Sequence, residues 1–67
     1  MNEKSPIYTK HYAQSVVEVY LNEDQTKVYQ IKCLTRNRCR KYTFDTEDYL
    51  QKQMIGYQEI QKKLINR

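Results

Sequence analysis

The chain has one glycine, one proline, one histidine and no tryptophan in 67 residues. With so little turn punctuation it has few places to reverse, so a small number of well-defined elements is expected. The lone histidine, His11, cannot complete a zinc site around Cys33 and Cys39, and neither a metal nor any other cofactor is expected. There is no glycine-rich phosphate loop, no histidine set beside a nucleophile and no isolated carboxylate pair, so the chain is not read as an enzyme. No apolar run approaches the roughly 18 residues of a membrane span, and no membrane partner is expected. The opening Met1-Asn2-Glu3-Lys4 lacks the apolar stretch of a signal peptide, which makes the cytoplasm the expected compartment.

The most telling absence is of acid. From Lys27 to Phe44 there is no Asp or Glu, while Lys27, Lys32, Arg36, Arg38, Arg40 and Lys41 all fall there. Of the twelve Lys and Arg residues, the six outside this segment stand against all eight acidic residues, so the segment carries +6 and the remainder −2. Such separation makes a local positive field that a polyanion or an acidic protein surface meets first.

What remains is polar but patterned. Apolar residues make up 39% and charged residues 30%, and seven tyrosines with regular apolar spacing argue against disorder. A domain of this size buries only about 60% of its unfolded surface, so its core is marginal without a staple or a partner. Cys33 and Cys39 could supply a staple across a hairpin if they face each other. The cytoplasmic reading argues instead for reduced thiols, and that is the expectation.

Residues 1–12 are expected to form a flexible N-terminal arm, broken by Pro6 and without clear periodicity. Residues 13–67 then form a single domain. Alternation from Gln14 to Leu21 marks a strand with Val17, Val19 and Leu21 on one face. After the polar turn Asn22-Glu23-Asp24-Gln25, a second strand over Thr26–Thr35 puts Tyr29, Ile31 and Cys33 on one face. Arg36-Asn37-Arg38 makes the next turn, where asparagine tolerates a left-handed backbone. A third strand over Arg40–Phe44 adds Tyr42 and Phe44 to the apolar face. Asp45 is the expected N-cap of one long helix whose stripe is Leu50, Met54, Tyr57, Ile60, Leu64 and Ile65. Ile55 falls outside the stripe and Gly56 within the helix, at a cost of about 1 kcal/mol relative to alanine. The expected fold is α+β: a three-stranded antiparallel sheet packed against one C-terminal helix, βββα. Ile55 and the open sheet face leave homodimerisation open.

These features point to a small basic macromolecule-binding protein. The residues expected to make contact are Lys32, Arg36, Asn37, Arg38, Arg40 and Lys41. The planar guanidinium fork suits phosphate, and Asn37 could read a base edge. Tyr20, on the open face, could stack on an unpaired base. The segment Arg40-Lys41-Tyr42-Thr43-Phe44-Asp45-Thr46, closing a basic strand and opening a helix, resembles the strand–helix junction of integrase arm-binding domains. That resemblance implies a three-stranded sheet laid in a DNA major groove. The chain differs from it in having no glycine in the first hairpin turn. Nucleic acid is therefore the first expected partner. The alternative is an acidic host protein surface, blocked by a phage or mobile-element type inhibitor. Chains rich in Lys, Asn, Gln, Ile and Tyr are typical of such elements, and Arg and Tyr are enriched at interface hot spots.

Overall fold

The computed structural model describes residues 5–65, so residues 1–4 of the expected arm lie outside the described residues, as does the side chain of Ile65. Four strands are followed by two short helices: β1 (Tyr8–His11), β2 (Val16–Leu21), β3 (Lys27–Thr35), β4 (Arg38–Asp45), α1 (Thr46–Gln51) and α2 (Tyr57–Ile65). The strands form one antiparallel sheet in chain order. The fold is still α+β, but the expected βββα arrangement is wrong at both ends, and with it the order of elements behind the integrase resemblance.

The first correction is an extra strand. Tyr8–His11, expected within the arm, pair with β2 in the register Tyr8↔Val19 to His11↔Val16. The Ile7 amide extends the ladder by donating to the Val19 carbonyl at 2.8 Å. The Val-rich β2 would otherwise expose a row of backbone donors and acceptors, and β1 satisfies them. Its own residues are mostly exposed and polar, as suits an edge strand, and that polarity hides it from an apolar-periodicity reading.

The second correction is a broken helix. Gln53 and Gly56 adopt left-handed backbone conformations, with φ of 52° and 77°, and the chain reverses between α1 and α2. Gly56 therefore ends a loop rather than interrupting a helix, because a left-handed backbone suits glycine best. The link also lies close on β1: a Cβ at Gly56 would sit 3.0 Å from Cβ, Cγ and Cδ2 of Tyr8. Ile55, expected on an exposed face, instead packs partly buried against the core.

The third correction is the phase of β3. Leu21 pairs with Val28 and Val19 with Gln30, so Val28 and Gln30 face the helices. Tyr29 and Ile31 lie with Tyr20 on the outer face. Both phases of this strand carry apolar groups, and the loop decides between them. Asn22 Oδ1 accepts from the amides of Thr26 and Lys27 at 3.1 Å each, and Asp24 Oδ1 accepts from the Thr26 hydroxyl at 2.7 Å. The Thr26 hydroxyl, with the Thr26 amide, holds the Asp24 carboxyl below its ordinary pKa, and the bonds to Asn22 and Asp24 together set the register by closing the turn.

The core is small: Val17, Val19, Leu21, Val28, Tyr49 and Ile60. Tyr49 sits at its centre, fully buried. Its hydroxyl donates to the Ile55 carbonyl at 2.6 Å and accepts from Gln30 Nε2 at 2.8 Å. Its ring meets Phe44 edge-on, centroids 5.3 Å apart. Burial pushes the phenol above its ordinary pKa, so it stays protonated and can donate. Asp45 occupies the N-cap position of α1 but makes no side-chain cap. It accepts instead from Lys27 at 2.6 Å. Replacing Tyr49 with Phe removes both hydroxyl bonds and leaves Gln30 and the Ile55 carbonyl unsatisfied. We expect a loss of about 1–3 kcal/mol in denaturant unfolding; an unchanged midpoint would mean that water satisfies both groups.

Candidate functional site

Strands β3 and β4 form the longest ladder, from Lys27↔Asp45 to Thr35↔Arg38. The helices and their link cover the inner face of the sheet around Val17, Val19, Leu21, Val28 and Phe44. Beyond Gln30 the ribbon runs on uncovered, as the exposure of Lys32, Leu34, Arg38, Arg40 and Tyr42 shows. Tyr42, expected in the core, is 41% exposed because it stands on the inner face past the reach of α1.

Three local features shape the ribbon. Arg36 and Asn37 make a two-residue turn, and neither has a positive φ, so the left-handed asparagine expected there is absent. Such a turn splays the strands unless extra twist compensates. The register shift between Cys33 and Thr35 gives β3 one extra residue, Leu34, and a bulge of this kind adds twist and re-aims side chains. Cys33 and Cys39 face each other in the ladder, Cα atoms 4.0 Å apart, and are joined by a disulfide. Reduced thiols were expected from compartment alone. The register places the two side chains directly opposite, where a bridge needs no backbone movement.

The expected contact residues do not share one face. Strand alternation puts Lys32, Arg38 and Arg40 on the inner face, together with Leu34 and Tyr42, and these line one shallow depression with Cys39. Lys41 is on the outer face, its Nζ 4.5 Å from the centre of the Tyr29 ring. Arg36 and Asn37 occupy the tip, where the Asn37 amide donates to Thr35 Oγ1 at 3.3 Å. Lys27, counted with the basic segment, is taken up by Asp45, whose hydrogen bond and charge raise its pKa. Among the described residues no carboxylate pairs with Lys32, Arg36, Arg38, Arg40 or Lys41.

One cation was missed. Lys10 pairs with Val17, Val17 with Lys32, and Lys32 with Arg40, so Lys10, Lys32 and Arg40 lie in one row across the inner face. The row became visible only once Tyr8–His11 was known to be a strand. Tyr12, in the turn after β1, sits beside this row, with Lys10 Nζ 5.6 Å from its ring centre. Tyr20, expected to stack on a base, lies on the outer face and donates its hydroxyl to Glu18 at 3.0 Å.

Among the described residues no three His, Cys, Asp or Glu side chains converge to hold a metal ion, and no helix is long and apolar enough to cross a membrane. No protein-family model, curated protein or solved structure matches this chain. Replacing Cys33 and Cys39 together by serine opens a short loop closure, for which chain entropy predicts a loss of about 2 kcal/mol. Denaturant unfolding should show that loss, and amide exchange should quicken from Lys32 to Arg40. An unchanged midpoint would mean that strand pairing alone holds the ribbon.

Proposed function

We propose that this protein binds nucleic acid through the projecting half of the β3–β4 ribbon. The observation that carries this reading is the set of five cations, Lys32, Arg36, Arg38, Arg40 and Lys41, on an uncovered ribbon without carboxylate partners among the described residues. Unpaired surface cations attract counterions, and a polyanion that replaces them gains the entropy of their release. Three of the five are arginines, whose planar forks donate two parallel bonds to a phosphate. The disulfide and the short turn hold these groups in place before binding, so less ordering entropy is lost on association.

The distribution of the cations fits contact from more than one side. Arg36 and Asn37 lead at the tip, Lys32, Arg38 and Arg40 line the inner face, and Lys41 backs them. An acidic protein surface, engaged by an inhibitor, would meet the same residues, and it is the reading that remains if no oligonucleotide binds.

The test is fluorescence anisotropy of labelled single-stranded and duplex oligonucleotides at about 50 and 200 mM salt. Five phosphate contacts give a log–log salt slope of about −3.5 on a single strand or −4.5 on a duplex. Affinity should therefore fall by roughly 130- to 500-fold across that range. Replacing Arg36 and Arg38 with Ala should reduce the slope by about 1.4–1.8 and leave the melting temperature unchanged. No binding at the lower salt would overturn the proposal.

A further inference from the structure

We infer that the nucleic acid is single-stranded and lies across the inner face of the sheet, its phosphates along Lys10, Lys32 and Arg40 and its bases on Tyr42 and Tyr12. This rests on the nucleic-acid reading above and narrows it to one strand type and one face.

Three observations meet there. The first is the row Lys10–Val17–Lys32–Arg40, one residue from each strand in register, three cations with the buried Val17 between Lys10 and Lys32. Strands lie about 4.8 Å apart, so the row spans about 14 Å, room for about four nucleotides at a stacked spacing of 3.4 Å. The second is that, among the described residues, the large apolar side chains most exposed to solvent, Tyr12 at 47%, Leu34 at 54% and Tyr42 at 41%, border this row. Tyr12 stands at its β1 end beside Lys10, and Tyr42 at its β4 end two residues from Arg40. The third is relief. Two shallow depressions of about 440 and 590 Å³ adjoin at Lys32, which lines both, and no carboxylate lines either.

Aromatic rings beside a basic track are what a single strand needs, because every unpaired base offers a π-face and stacking tolerates any sequence. In a duplex those faces are already stacked on one another, so Tyr12, Leu34 and Tyr42 would gain nothing from it. The outer face offers tyrosines as well, but in the wrong field. There Tyr20 is bonded to Glu18, Glu23 and Asp24 line the depression beside Tyr20 and Tyr29, and Lys41 stands over the Tyr29 ring. Carboxylates at that rim repel a phosphate chain, while the inner row attracts it.

The experiment titrates labelled oligothymidylate, oligouridylate and a duplex of equal length with the intact protein and with the Tyr42→Leu, Tyr12→Leu and Lys10→Ala variants, each checked by thermal melting. A single strand should bind at least tenfold tighter than the duplex at the same salt. Tyr42→Leu should weaken single-strand binding about tenfold, the scale of one lost stacking contact, and leave duplex binding unchanged. Tyr12→Leu should act in the same direction. Lys10→Ala should reduce the single-strand salt slope by about 0.7. Binding to both forms with equal or greater duplex affinity, or single-strand binding indifferent to Tyr42 and Tyr12 alike, would overturn this inference and leave the broader reading standing. Binding to none of the three probes would overturn both.

Discussion

The hydroxyl of Tyr49 holds the two halves of this fold together. It accepts from Gln30 on the central strand β3 and donates to the Ile55 carbonyl in the link between the helices. A core this small has little apolar area to define how the helices sit. A buried polar bridge with both partners satisfied adds direction that apolar packing lacks. It fixes α1 over Phe44 and Gln30, and it requires the chain to reverse at Gln53–Gly56 so that the Ile55 carbonyl reaches the ring. Gly56 then rests against Tyr8, which ties the link to β1. Helix, link and central strand thus converge on one side chain, and the edge strand joins them through the link.

The functional surface follows from where that cover stops. Two short helices linked by a tight reversal cover less of the sheet than one long helix would. On the inner face of the β3–β4 ribbon, Lys32, Leu34, Arg38 and Arg40 beyond Gln30 and Tyr42 opposite it are left in water, while on β2 Val17 is still buried. An exposed two-stranded ribbon is marginal by itself. The Cys33–Cys39 bridge on the outer side and the bulge at Leu34 on the inner side give it a fixed shape without a helix behind it. The same arrangement separates the charges. Carboxylates of the β2–β3 turn gather at the outer rim, Asp45 neutralises Lys27 near the helices, and the uncovered cations stand without partners.

Much of this was legible in the sequence, and the failures have physical causes. The alternation of Val17, Val19 and Leu21 located β2 and its buried face, because valine on one face of a half-buried strand has no competing periodicity. Asp45 marked the point where strand gives way to helix. The acid-free segment located the basic ribbon. In β3, however, Val28-Tyr29-Gln30-Ile31 offers apolar side chains in both phases, and the bulkier pair suggested the wrong one; turn hydrogen bonds to Asn22 and Asp24 decided otherwise. The stripe through Leu50, Met54, Tyr57 and Ile60 fits one helix well. It omits Tyr49, and the left-handed backbone at Gln53 and Gly56 breaks that helix between Leu50 and Tyr57. Residues 8–11 are polar enough to pass for an arm, since an edge strand is held by its backbone rather than by its side chains. That error concealed Lys10. The disulfide was missed because compartment was weighed above register.

The central claim is that the uncovered inner face of the distal ribbon, and not the tyrosine-lined outer face, is the binding surface. Backbone amide chemical shifts recorded while a single-stranded oligonucleotide is added test it most directly. The account predicts perturbations at Lys10, Tyr12, Lys32, Leu34 and Arg36 to Tyr42, with Glu18, Tyr20, Glu23 and Asp24 unmoved. Shifts confined to Tyr20, Tyr29 and the Asn22–Gln25 turn would contradict it and move the site to the opposite side of the sheet.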